Sequence, residues 1–222
     1  MTVQSDKARS DKARKIAVLA ATAALLAVPA RSAPIVDPAG DFILSFTGTK
    51  TGDLDVISLS AVFDGTFFHL SATMNAPIGT GANDRYVWGF DRGQGTARFG
   101  AIAPGVLFDS VVVVTAGTPG GAVNRLVGGG STALPASAVK ISGATITVDV
   151  PVSALPSLGL TPDHYGINLW PRENNPAIIG NAQISDFAPD NSLFIASAPE
   201  PASIALFAAA FGAVAFARRR RA

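Results

Sequence analysis

Val56-Ile57-Ser58-Leu59-Ser60-Ala61-Val62-Phe63-Asp64-Gly65-Thr66-Phe67-Phe68-His69-Leu70-Ser71-Ala72-Thr73-Met74 is the stretch on which the fold turns. Its apolar residues recur every second position, the period of a pleated strand with one buried face, and not every third or fourth as on a helix. Ile57, Leu59, Ala61 and Phe63 fall on one side, and Val56, Ser58, Ser60 and Val62 on the other. Asp64-Gly65 is a two-residue hairpin signal, because glycine adopts the positive φ that a tight reversal needs. The return strand then carries Phe68, Leu70, Ala72 and Met74 on one face, and Phe67, His69, Ser71 and Thr73 on the other.

The same period continues on both sides of this hairpin. Arg85 to Phe90 alternates with Tyr86, Trp88 and Phe90 on one face, and Val106 to Val114 is a β-branched run suited to a central strand. Val139-Lys140-Ile141, a turn at Ser142-Gly143 and Ala144 to Val150 make a second hairpin with Ile146, Val148 and Val150 inward. Further strands are expected at Phe42 to Phe46, Tyr165 to Trp170 and Ser192 to Ile195. Gly117 to Ser137, rich in Gly, Ala, Thr and Pro, reads as a long loop or a weak edge hairpin. Val152 to Leu158, bracketed by Pro151 and Pro156, invites one short helical turn. Frequent short strands without a long helix predict an all-β fold, an antiparallel β-sandwich of jelly-roll-like kind.

The ends have a different composition. Lys7 to Lys15 is basic, Ile16 to Val28 is almost purely aliphatic, and small residues follow at Val28-Pro29-Ala30. This is the three-part plan of a secretory signal peptide, with an apolar stretch too short to span a bilayer. Cleavage is expected after Ala30 in preference to Ala33, which would put Arg31 in a small pocket and leave Pro34 after the cut. At the other end Pro199-Glu200-Pro201 leads into an apolar segment, 202–217, expected to be a transmembrane helix, and then into Arg218, Arg219, Arg220 and Arg221. The arginine cluster is a cytoplasmic anchor by the positive-inside rule. The chain thus divides into a signal peptide (1–30), an ectodomain (31–197) and a C-terminal signal (198–222). The ectodomain carries eight Lys/Arg against thirteen Asp/Glu, so it lacks the basic footprint of a nucleic-acid binder. The chain has no cysteine, which excludes disulfides, thiol catalysis and thiolate metal sites.

The order of Pro-Glu-Pro, apolar helix and basic tail resembles the PEP-CTERM sorting signal of exopolysaccharide-producing Gram-negative bacteria. The resemblance implies an inner-membrane precursor, cut by signal peptidase at one end and near Pro199-Glu200-Pro201 by an exosortase, a membrane cysteine protease, at the other. The product would reach the cell surface or the extracellular matrix and associate with exopolysaccharide. The middle of the chain looks like ectodomains of other PEP-CTERM proteins, through Gly52-Asp53-Leu54-Asp55-Val56, Tyr86-Val87-Trp88-Gly89-Phe90-Asp91-Arg92-Gly93, Val106-Leu107-Phe108-Asp109-Ser110, Asn168-Leu169-Trp170-Pro171-Arg172 and Ile184-Ser185-Asp186-Phe187-Ala188-Pro189-Asp190. More distantly it resembles family-nine carbohydrate-binding or DOMON-like sandwich modules. That likeness implies a ligand-binding ectodomain, with calcium an open option and no known chemistry.

A catalytic site is not expected. His69 falls on the polar face of its strand, His164 sits in a Thr-Pro-Asp-His turn, and neither neighbours a serine motif. Gly93-Gln94-Gly95-Thr96-Ala97-Arg98 begins like a dinucleotide fingerprint, but Arg98 replaces the last glycine and no helix follows. Two binding arrangements remain open. Asp37, Asp41, Asp53 and Asp55 near the start of the domain, with Asp186 and Asp190 near its end, converge on calcium if the terminal strands are neighbours; otherwise they are turn formers. Tyr86, Trp88 and Trp170 form a sugar-stacking platform if exposed and core if not. Arg85, Arg92 and Arg172 are expected to pair with Asp91 or Glu173 as solvated surface charges.

Overall fold

The computed structural model describes residues 33–82 and 84–198, and the expected signal peptide, Pro-Glu-Pro motif, transmembrane helix and arginine tail lie outside these residues. Ser32–Ala198 forms one compact unit. Its strands are β1 (Ile35–Val36), β2 (Val56–Phe63), β3 (Phe67–Met74), β4 (Arg85–Asp91), β5 (Thr96–Ala97), β6 (Leu107–Phe108), β7 (Ser110–Thr115), β8 (Gly121–Arg125), β9 (Ser131–Leu134), β10 (Val139–Ser142), β11 (Thr145–Pro151), β12 (Gly166–Arg172) and β13 (Phe194–Ile195). Every described helical segment is a 3-10 turn of three or four residues, among them Val152–Ala154 in the proline-bracketed stretch. Two large antiparallel sheets result, ordered β1-β2-β3-β11-β10 and β13-β12-β4-β7-β8-β9, with β5 and β6 as a separate ribbon. The chain crosses between the sheets from β3 to β4, from β9 to β10 and from β11 to β12. The fold is a β-sandwich.

The inner faces meet in one core. Leu59, Ala61, Phe68, Leu70, Ala72, Met74, Ile146, Val148 and Val150 come from the first sheet, and Tyr86, Trp88, Phe90, Val112, Val114, Ile167 and Leu169 from the second. Burial of each large apolar side chain stabilises the fold by ~1.5–3 kcal/mol, so the alternation read from the sequence is also the main energetic term. Val56 joins this core in place of Ile57 because the register shifts between Val56 and Ser58, a bulge that turns the strand's first residue inward. The β2–β3 reversal is centred on Gly65-Thr66, one residue later than expected. Asp64 N donates to Phe67 O at 3.1 Å, while Asp64 Oδ1 accepts from Thr66 N and Phe67 N at 2.7 Å. Gly65 takes a φ of 95° there.

A second core covers the other face of the second sheet. Leu169 lies opposite Trp88 in the ladder, so the next residue, Trp170, projects outward beside Val87. There it packs against Phe99, Phe108 and Phe187, with Val106 and Ile184 completing the cluster. Gly89 makes room for it, since a Cβ at that position would stand 2.5 Å from the Trp170 ring. The cover is supplied by the loop and ribbon between β4 and β7 and by the segment after β12.

Two expected strands are corrected. Phe42 to Phe46 is an irregular loop: Phe46 N bonds back to Ile43 O, Ile43 N bonds to Ser185 O, and Leu44 is fully exposed. Val106 to Val114 is broken at Asp109, whose side chain is drawn into an ion pair with Arg92 while its amide bonds to Phe90 O. Gly117 to Ser137 does form the edge hairpin, as β8 and β9.

Candidate metal centre

The expected acidic groups divide into two sets. Asp37 directly follows β1, and its amide continues the β1–β2 ladder by donating to Ile57 O at 3.1 Å. Asp55 immediately precedes β2. Asp186 arrives from the far end of the chain on 184–188, a segment pinned along β12 by bridges Leu169–Ala188 and Arg172–Ile184. Ser185 Oγ donates to Leu54 O at 2.7 Å, and Asp186 Oδ2 accepts from Val56 N at 2.9 Å. These bonds hold the edge of the second sheet against the start of β2, and thereby bring Asp186 to Asp37. One carboxylate oxygen from each of Asp37, Asp41 and Asp186 lies within 4.8 Å of one from the other two.

Burial and mutual repulsion dominate this cluster. Asp37 is 6% exposed, Asp55 1% and Asp186 0%, whereas Asp41 is half-buried and Asp190 exposed. Asp186 is held rigidly, its Oδ1 accepting from Phe187 N at 2.7 Å. Asp55 Oδ2 accepts from Gly40 N at 2.9 Å and Asn75 Nδ2 at 2.8 Å. Asp37 Oδ2, Asp41 Oδ1 and Asp55 Oδ1 are buried without a hydrogen-bond partner. Burial, then the negative charges of Asp186, Asp41, Asp190 and Asp55, push the Asp37 carboxyl up to about 8. Burial pushes Asp186 to about 7, with Asp41 and Asp55 adding to it and the Val56 and Phe187 amides opposing it. Every charge acting on Asp37 is another carboxylate.

Asp53 does not join this group. Its Oδ2 accepts from Thr80 N at 2.8 Å and Gly79 N at 3.3 Å, while its backbone carbonyl accepts from Tyr86 Oη. Its acidic neighbour is Asp84, which is raised by burial and by the charges of Asp53 and Glu173, against the Asn174 amide. Nothing in the sequence singles out Asp84, because only the β3–β4 connection brings it to Asp53.

The aromatic platform is corrected. Tyr86 and Trp88 are in the main core and Trp170 is in the second, each at most 2% exposed, so none offers a ring face to a sugar. The β4 alternation puts the first two inside, and the phenylalanine cluster covers the third.

Arg92 is also corrected. It is fully buried, with Nε donating to Asp109 Oδ1 at 2.7 Å, Nη1 to Pro156 O at 2.9 Å and Nη2 to Val127 O at 3.0 Å. Arg172 Nη2 donates to Gly180 O at 2.7 Å and Gln183 Oε1 at 3.1 Å.

Both histidines sit among carboxylates. His69 Nδ1 meets Asp149 at 2.7 Å and Nε2 meets Asp64 at 3.0 Å, so neither nitrogen is open to a nucleophile. At His164, Thr161 Oγ1 (3.0 Å) and Asp163 (3.1 Å) both approach Nδ1, so no relay crosses the ring.

No curated protein matches the chain. A model of the PEP-CTERM protein-sorting motif matches residues 197–221, covering Pro199-Glu200-Pro201, the apolar segment and the arginine cluster. The chain therefore carries a PEP-CTERM protein-sorting motif and is an exosortase-sorted protein, exported as a membrane-anchored precursor and destined for the cell surface.

Proposed function

We propose that the sandwich is the non-catalytic mature part of a surface or extracellular-matrix protein that associates with the host's exopolysaccharide. The observation that carries this reading is the place of the sorting motif. The matched residues begin at Ser197, which still pairs with β2 through Ser197 N to Ala61 O and Phe63 N to Ser197 O, both 2.9 Å. The domain therefore runs directly into its sorting signal, and cutting near Pro199-Glu200-Pro201 releases it nearly whole. The histidine environments support a non-catalytic role, since an aspartate holds each nitrogen of His69 and both partners of His164 fall on the same nitrogen. The rival reading is a carbohydrate-binding module. Tyr86, Trp88 and Trp170 are buried, so glycan contact on this fold would have to use other side chains.

The test is fractionation of host cells expressing the wild-type chain or Glu200→Ala. The wild type should leave the membrane fraction, shorten at its C-terminus and co-sediment with isolated exopolysaccharide. Glu200→Ala should accumulate as an uncut membrane precursor. A mature protein that stays free of exopolysaccharide overturns the proposed association, and normal maturation of Glu200→Ala overturns the role assigned to that glutamate.

A further inference from the structure

We propose that Asp37, Asp41 and Asp186, backed by Asp55, bind one calcium ion that clamps the segment entering β1 to the segment 184–188. The geometry fits that ion. Calcium holds oxygens at about 2.3–2.6 Å, so two ligands on opposite sides stand up to ~5 Å apart. The three converging oxygens lie within 4.8 Å of one another, inside that span. The donors are all carboxylates, which suits a hard cation rather than zinc or copper.

The second, independent observation is the set of orphaned oxygens. Asp37 Oδ2 and Asp55 Oδ1 belong to side chains more than nine-tenths buried, and no donor reaches either atom. Buried polar atoms normally have partners, and an unpaired one costs free energy that a ligand removes. A proton shared between Asp37 and Asp186 would satisfy one pair only, leaving Asp41 Oδ1 and Asp55 Oδ1 unpaired. A divalent cation gives the three converging carboxylates a common partner and cancels the repulsion among these acids, to which Asp55 adds. Asp186 retains a free lone pair on each oxygen despite its two amide bonds. Half-buried Asp41 and exposed Asp190 mark the solvent side, where water completes the six to eight ligands.

The test uses residues 32–198, which contain both cores and every described strand and so fold as a unit. After stripping with EDTA, calcium chloride is titrated calorimetrically, and thermal unfolding is followed in calcium, magnesium and EDTA. One saturable calcium site per chain is expected, with a higher melting temperature in calcium than in EDTA. Asp41→Asn, which keeps the side chain's size and an acceptor oxygen for its own amide, should weaken calcium binding at least tenfold without lowering the melting temperature in EDTA. Asp149→Asn, on β11, should bind as the wild type does. A melting temperature that ignores calcium, with no saturable heat, overturns the proposal and leaves a shared proton as the cluster's explanation. Wild-type affinity in Asp41→Asn overturns it equally.

Discussion

Arg92→Met tests the buried ion pair that organises the loops at one end of the second sheet. The replacement is similar in length but carries no charge or donor. In the native chain Asp109 accepts three hydrogen bonds: Arg92 Nε at Oδ1, and Arg92 N (2.9 Å) and Gln94 N (3.1 Å) at Oδ2. The Asp109 carbonyl accepts from Leu126 N and Val127 N, and the Arg92 carbonyl from Leu158 N and Leu160 N. Two further chain segments, 126–127 and 156–160, therefore converge on this pair. Losing the guanidinium leaves a buried carboxylate with two amides for company, which costs about 3–5 kcal/mol. The Pro156 and Val127 carbonyls lose their donors as well, adding about 1 kcal/mol if water does not reach them. A total near 5 kcal/mol is a large share of the 5–15 kcal/mol typical of a domain. At about 2–4 °C per kcal/mol it lowers the melting temperature by ~10–20 °C.

The assay is urea unfolding of Arg92→Met, Asp109→Asn and the double variant. The interaction energy from the cycle should be about 2–3 kcal/mol, since the second substitution removes a group already left unpaired. A cost below about 1 kcal/mol for Arg92→Met, the level of an exposed pair, would refute the reasoning. Arg92→Lys should recover only part of the loss, because an ammonium cannot reproduce the three-direction fork.

Other outcomes follow from the same packing. Trp88→Ala and Trp170→Ala should each cost about 3–5 kcal/mol in urea unfolding, one from each core; a Trp170→Ala domain as stable as wild type would mean the second core is not a packed core. Gly89→Ala should cost about 1–3 kcal/mol by pushing the Trp170 ring, and a neutral effect would contradict that close approach. Burial pulls the His69 pKa down, but the hydrogen bonds and charges of Asp149 and Asp64 outweigh it, so the net shift is upward from 6.5; Asp64 is lowered to about 2, chiefly by the Phe67 amide and His69. The His69 contribution to stability is thus fully present below pH 6.5 and lost as pH rises through its folded value, while that of Asp64 is lost as pH falls through about 2. An NMR titration giving His69 a pKa below 6.5 would contradict this sign.

Hairpins were legible in the sequence because one face of each strand is polar. Ser58 and Ser60 against Leu59 and Ala61, or Thr145 and Thr147 against Ile146 and Val148, leave a single register that buries the apolar set. The second core was not legible for the opposite reason. β4 and β12 are buried on both faces, and nothing local to Val87 or Trp170 reveals that a loop dozens of residues away will cover them. Arg92 and Asp109 lie too far apart in sequence for spacing to link them, and only the β4–β7 register does so. Of the six aspartates, the sequence marked both ends of the domain as acidic, but which acids meet depends on the 184–188 segment crossing to β2. Asp53 and Asp55 separate because the 3-10 turn Gly52–Leu54 sends their side chains to different partners.

The acidic cluster stands where the fold is least secured by ladders. Ahead of β2 the chain makes one two-residue strand, and the rest of 37–51 is held by single bonds: Asp37 N to Ile57 O, Gly40 N to Asp55, Ile43 N to Ser185 O, Thr47 N to Ala182 O and Thr49 N to Glu173. Two of these five end on carboxylates, and Asp37 itself lies among others. Val36 and Leu44 face solvent, so apolar burial contributes little from these two positions. Ile35, Ile43 and Phe46 do pack inward, and charge balance adds to their burial in keeping the segment docked. The same edge of β2 receives β1 at Leu59 and Ser58 and Ser197 at Val62, so the first and last described strand contacts lie within one strand's length. Whatever neutralises Asp37, Asp41 and Asp186 fastens the entering chain beside the point where the chain leaves toward its sorting signal.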